Sequence, residues 1–104
     1  MGRHRLGRIA LMLAAGALIL GVAPPGRAQQ GIGVQLFQFR PGELQVRSGT
    51  RLTWTNHDDI AHTVTSGAPG APDGRFDLPL PGKGTTGAVT IAEPGVYPYF
   101  CRRH

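Results

Sequence analysis

Leu44-Gln45-Val46-Arg47-Ser48-Gly49-Thr50-Arg51-Leu52-Thr53-Trp54-Thr55 consists of two short alternating runs joined by a turn. Leu44 and Val46 fall on one side of an extended chain, with Glu43, Gln45 and Arg47 on the other. After Ser48-Gly49 the alternation resumes, Leu52 and Trp54 against Arg51, Thr53 and Thr55. A period of two marks a strand with one buried face, whereas a helix repeats its apolar positions every three or four residues. Ser and Gly supply the turn chemistry between the runs. The segment therefore predicts two strands that send Leu44, Val46, Leu52 and Trp54 into a common core.

The same grammar extends in both directions. Downstream, Phe76, Leu78 and Leu80 alternate, Pro81-Gly82-Lys83-Gly84 turns the chain, and Val89 with Ile91 marks a further strand. Glu93-Pro94-Gly95 is a turn of the type II pattern that leads into Val96 to Cys101, where Tyr97, Tyr99 and Cys101 share a face. Upstream, residues 32–39 are apolar, with a change of phase at Leu36-Phe37 that suits a β-bulge, and Pro41-Gly42 turns the chain. Residues 67–74, rich in Ala, Pro and Gly, read as a flexible loop. Short strands separated by Gly and Pro roughly every eight to twelve residues predict an all-β sandwich. Trp54, Phe76, Tyr97 and Tyr99 are read as its core.

The N-terminus has a different character. Arg3, Arg5 and Arg8 precede an apolar run of 15 residues, Ile9 to Ala23, closed by Pro24-Pro25-Gly26-Arg27-Ala28. This is the layout of a secretory signal peptide, with Gly26 and Ala28 as the small residues of a cleavage site, and the run is shorter than the roughly 20 residues that span a bilayer. Residues 1–28 are thus expected to be a leader and residues 29–104 the domain. The export implied is to the periplasm or the exterior, with no stable membrane insertion after cleavage. Four of the 11 Lys and Arg residues lie in the leader, which leaves 7 against 6 acidic residues. A nearly neutral domain without a basic patch argues against a nucleic-acid partner. So small a domain usually needs a staple, but Cys101 is the only cysteine and has no partner for a disulfide. A metal is the next candidate.

Cys101-Arg102-Arg103-His104 places a thiol and an imidazole on one tight segment at a strand exit. His62 shares parity with Val64, so its ring faces inward at the end of the apolar layer, about 40 residues before Cys101. Two histidines and a cysteine in a trigonal plane are what a type 1 copper site requires. His57, in the Asn56-His57-Asp58 turn, is read as surface. Asp58-Asp59 has no companion nucleophile or acid and is given no catalytic role.

Several stretches together resemble the cupredoxins, in particular the plastocyanin- and amicyanin-like proteins. They are Phe39-Arg40-Pro41, Leu44 to Thr50, Leu52 to Asp58, His62-Thr63-Val64-Thr65-Ser66, and Pro94 to His104. The resemblance covers nearly all of residues 29–104. It implies a Greek-key β-sandwich and one copper ion, Cu(I)/Cu(II), held by His62, Cys101 and His104. It also implies an axial Met and a final strand after the second His. The chain ends at His104, and its two methionines, Met1 and Met12, lie in the leader. The domain is therefore expected to lack the final strand, which exposes a sheet edge. Two oxygens are within reach as axial substitutes, the Ala61 carbonyl and the His104 terminal carboxylate.

The function implied is one-electron transfer by a monomeric carrier, without substrate turnover, to a redox protein such as a c-type cytochrome or a dehydrogenase. The alternative is a copper- or zinc-binding, copper-handling module, or an inactive fragment. Thr63 is a candidate to brace the segment carrying Cys101. Arg102 and Arg103 are candidates to steer an acidic partner.

Overall fold

The computed structural model describes residues 7–12 and 28–103. They form β1 (Gly7–Met12), β2 (Gln29–Gln35), β3 (Gln38–Arg40), β4 (Glu43–Arg47) and β5 (Thr50–Asn56). β6 (His62–Ala68), β7 (Ala71–Leu80), β8 (Thr86–Ile91) and β9 (Val96–Phe100) follow. A five-stranded sheet has the order β4-β1-β9-β6-β7, and a four-stranded sheet the order β3-β2-β5-β8. The all-β sandwich is as expected, and no helix occurs among the described residues.

The alternation predicted for Leu44 to Thr55 holds. Leu52 and Trp54 are fully buried, Val46 is buried and Leu44 packs partly buried against the core. Trp54 sits at the centre, 5.3 Å from the Tyr99 ring and 5.9 Å from Phe76, while Phe39 stacks edge-on to Tyr99 at 4.7 Å. Each such side chain contributes roughly 1.5–3 kcal/mol by leaving water. His62 and Val64 both point inward, so β6 carries the imidazole to the end of the same layer.

Two expectations are corrected. The phase change at Leu36-Phe37 is not a bulge but a two-residue hairpin turn between β2 and β3, with Gln35 paired to Gln38. Both turn residues adopt positive φ, 52° and 64°, the pattern of the type I′ turn, whose twist matches that of the flanking strands. Residues 67–74 are not an unstructured loop. β6 and β7 pair there through Gly67↔Pro72 and Ala68↔Ala71 around a turn at Pro69-Gly70, after a register shift between Thr65 and Gly67. Gly67 has φ of 109°, and a Cβ there would lie 2.5 Å from the Ala71 carbonyl oxygen, so only glycine fits.

The sheet edge expected of residues 29–104 alone is covered in the full chain. β1 fills the space between β4 and β9, pairing parallel with β4 over Arg8↔Glu43 to Met12↔Arg47 and antiparallel with β9 over Gly7↔Tyr99 to Ala10↔Val96. The edge of β9 is therefore covered by part of the expected leader. Ile9 is completely buried in the core cluster, and the Tyr99 ring packs so closely over Gly7 that an added Cβ would lie 2.0 Å from it. The rest of the expected leader, apart from Ala28, lies outside the described residues.

Candidate metal centre

β6 and β9 bring two of the expected ligands together. His62 opens β6 and Cys101 follows β9, and both are buried, with His62 only 1% exposed. His62 Nδ1 lies 3.8 Å from Cys101 Sγ. Metal bonds of about 2.0 Å to nitrogen and about 2.3 Å to sulfur span that gap at close to 120°, the angle of a trigonal site. The pair thus fits a single ion without rearrangement. The third expected ligand, His104, lies outside the described residues. Among the described residues no group of three or more His, Cys, Asp or Glu side chains is gathered to hold a metal.

The other ring nitrogen is also engaged. His62 Nε2 is 2.8 Å from Asp58 Oδ2, and Asp58 accepts in addition from the N–H of Leu36 (2.9 Å) and of Phe37 (3.2 Å). Burial pushes the Asp58 carboxyl up. The Leu36 N–H, the His62 ring and the Phe37 N–H outweigh that and hold it below the usual carboxylate value. Phe37 lies edge-on to the His62 ring, with centroids 5.7 Å apart.

Asn56 anchors the loop that carries Asp58. It is fully buried, donates from Nδ2 to the carbonyls of Ile60 (2.8 Å) and Leu80 (3.1 Å), and accepts the Asp58 N–H at 2.8 Å. Sequence reasoning gave Asp58 no role and missed Asn56. One signal was present, because Asn56 has the inward parity of Leu52 and Trp54, and a polar residue on a core face must find partners.

Thr63 holds the cysteine segment from the other side. Its N–H donates to Cys101 Sγ at 3.3 Å, its Oγ1 sits 4.0 Å from the same sulfur, and Oγ1 accepts the Arg102 N–H at 2.8 Å. The Arg102 guanidinium is paired with Asp77, which also accepts from Thr65 Oγ1, while Arg103 is exposed. Ala61 is half-buried beside His62, and His57 is exposed. Asp59 points to solvent near Lys83, away from the site.

Two antiparallel-rich sheets packed face to face, with a buried histidine and cysteine converging at one end, define a cupredoxin. Residues 27–104 match the family model described as copper binding proteins, plastocyanin/azurin family. The chain belongs to that family, and copper is its cofactor. It is 29% identical over 105 residues to "Plastocyanin, chloroplastic" of Oryza sativa subsp. indica, covering 94% of this chain and 68% of the relative. It is 29% identical over 93 residues to "Amicyanin-alpha" of Methylorubrum extorquens, covering 88% and 76%. The structure titled "Novel Purple Cupredoxin from Nitrosopumilus maritimus" superposes with a TM-score of 0.63 at 30% identity, covering 74% of this chain and 88% of that one.

Proposed function

We propose that this chain is an exported one-electron carrier whose copper is held by His62 Nδ1, Cys101 Sγ and the imidazole of His104. The observation that carries the proposal is the buried 3.8 Å pair of His62 Nδ1 and Cys101 Sγ. Bound there, copper supplies a Cu(II)/Cu(I) couple, for which a thiolate and imidazoles are competent donors in both states. The chain's own residues keep the pair in place and dry. Thr63 fixes the sulfur, Asp58 and Phe37 contact the ring, and Trp54, Tyr99 and Val64 fill the layer beneath. Little movement of these groups is needed when an electron arrives or leaves.

The partner is a redox protein. Leu36, Phe37 and Ile60 expose apolar area beside the His62 end, 63%, 53% and 43% respectively, and suit a docking face. Arg103 adds an exposed positive charge two residues after Cys101, whereas the charge of Arg102 is offset by Asp77. The basic and apolar residues 1–28 support the export reading, and one relative is titled a chloroplastic plastocyanin.

Voltammetry of the copper-loaded protein tests the reading. A reversible one-electron wave is expected. Copper that stays bound but does not cycle would move the chain to the copper-handling class.

A further inference from the structure

Asp58 lies in a loop whose sequence carries no motif, yet it is the most connected carboxylate near the site. One oxygen receives the Leu36 N–H, and the other receives the Phe37 N–H and faces His62 Nε2 at 2.8 Å. Its side chain is only 14% exposed, and its position is fixed by the wholly buried Asn56. An ionised carboxylate is acceptor-only, so the ring nitrogen facing it must carry the proton. A neutral imidazole with Nε2–H has its lone pair on Nδ1, the atom that faces Cys101 Sγ.

We infer that Asp58 is the positioning residue of the metal centre: it locks His62 in the Nε2–H tautomer and, through that hydrogen bond, makes Nδ1 a stronger donor that favours Cu(II) over Cu(I). The inference rests on the ligand assignment above. The physical basis is general, since a carboxylate accepting the second N–H of a metal-bound histidine orients the ring and raises its basicity. The same carboxylate also caps the Leu36-Phe37 turn, where two bulky residues adopt a conformation that glycine and asparagine prefer. The turn that lays Phe37 against the His62 ring is thereby tied to the ring's own hydrogen bond.

The test separates these roles by using a Leu36→Asn/Phe37→Gly background, in which the turn is stable without help, and comparing Asp58 with Asp58→Asn within it. The first readout needs no metal: nitrogen NMR of the His62 ring in the copper-free protein. The Nε2–H tautomer is expected with Asp58, and a mixed or reversed population with Asn. The second readout is the midpoint potential of the copper-loaded protein, expected to rise on Asp58→Asn. A tenfold loss of Cu(II) relative to Cu(I) affinity corresponds to about +59 mV. An unchanged tautomer, or an unchanged or lowered potential, would overturn the inference. Failure of the unsubstituted protein to bind copper at His62 would instead strike the ligand assignment, and the NMR comparison would still decide whether Asp58 sets the tautomer.

Discussion

The backbone N–H of Thr63 points at Cys101 Sγ from 3.3 Å, across the seam between β6 and the end of β9. The same residue receives the Arg102 N–H on its hydroxyl, so one side chain holds both the sulfur and the peptide that follows it. Thr63→Val keeps the backbone donor and the shape but removes that acceptor. Copper affinity, measured by competition with a chelator, is expected to fall about tenfold, the lower end for residues that support a ligand. Global stability should change by no more than about 1 kcal/mol, because the Arg102 bond is exposed to water and the Thr65 hydroxyl, which also loses its contact with Thr63 Oγ1, keeps Asp77 as a partner. Unchanged affinity would mean that the backbone contact alone fixes the sulfur.

Tyr99 and Trp54 predict a pH effect. Tyr99 Oη and Trp54 Nε1 are buried and have no hydrogen-bond partner among the described residues. Burial pushes the Tyr99 phenol from its ordinary value of 10.0 up to about 12, against a smaller opposing pull from the nearby Trp54 indole N–H, which does not reach hydrogen-bond geometry with it. A pKa raised in the folded state means that the unfolded chain ionises first. The stabilisation is complete below pH 10 and is lost as the pH rises towards 12. Tyr99→Phe removes an unpaired buried hydroxyl, which carries a penalty of roughly 1–3 kcal/mol, so it is expected to be at least as stable at neutral pH. In urea titrations the variant's margin over the unsubstituted protein should widen between pH 10 and 12. A constant margin across that range would show that Tyr99 is not the group responsible.

Ile9 tests the role of β1. It is completely buried, and its strand lies between β4 and β9 in the sheet order. In the full chain, Ile9→Ala is expected to cost about 2–5 kcal/mol. A chain beginning at Gln29 should melt at a lower temperature and associate more readily, since the facing edges of β4 and β9 then lack a partner. Equal melting temperatures would show that residues 7–12 do not pair in solution.

The strands were legible in the sequence wherever one face is buried and the other wet, as at Leu44 to Thr55 and Phe76 to Leu80. Periodicity failed where that contrast vanishes. Residues 71–75 are all exposed, so their alternation carries no polarity signal even though their backbone is paired. The Leu36-Phe37 turn lacks the Asn-Gly chemistry that announces such hairpins, because its N–H groups are satisfied by Asp58, more than 20 residues away. Of the site, His62 and Cys101 follow from parity and residue chemistry. Asp58 does not, because its role depends on loop geometry that no spacing rule encodes. The placement of Gly7–Met12 was equally hidden, since an apolar leader and an apolar strand share a composition.

Ligation of one copper ion by Cys101 together with His62 is tested most directly by adding Cu(II) to the protein and recording its visible spectrum. An intense thiolate-to-copper band is expected with one equivalent of metal, absent in Cys101→Ser and lost or strongly shifted in His62→Ala. Copper bound without that band, or a band that survives Cys101→Ser, would contradict the assignment.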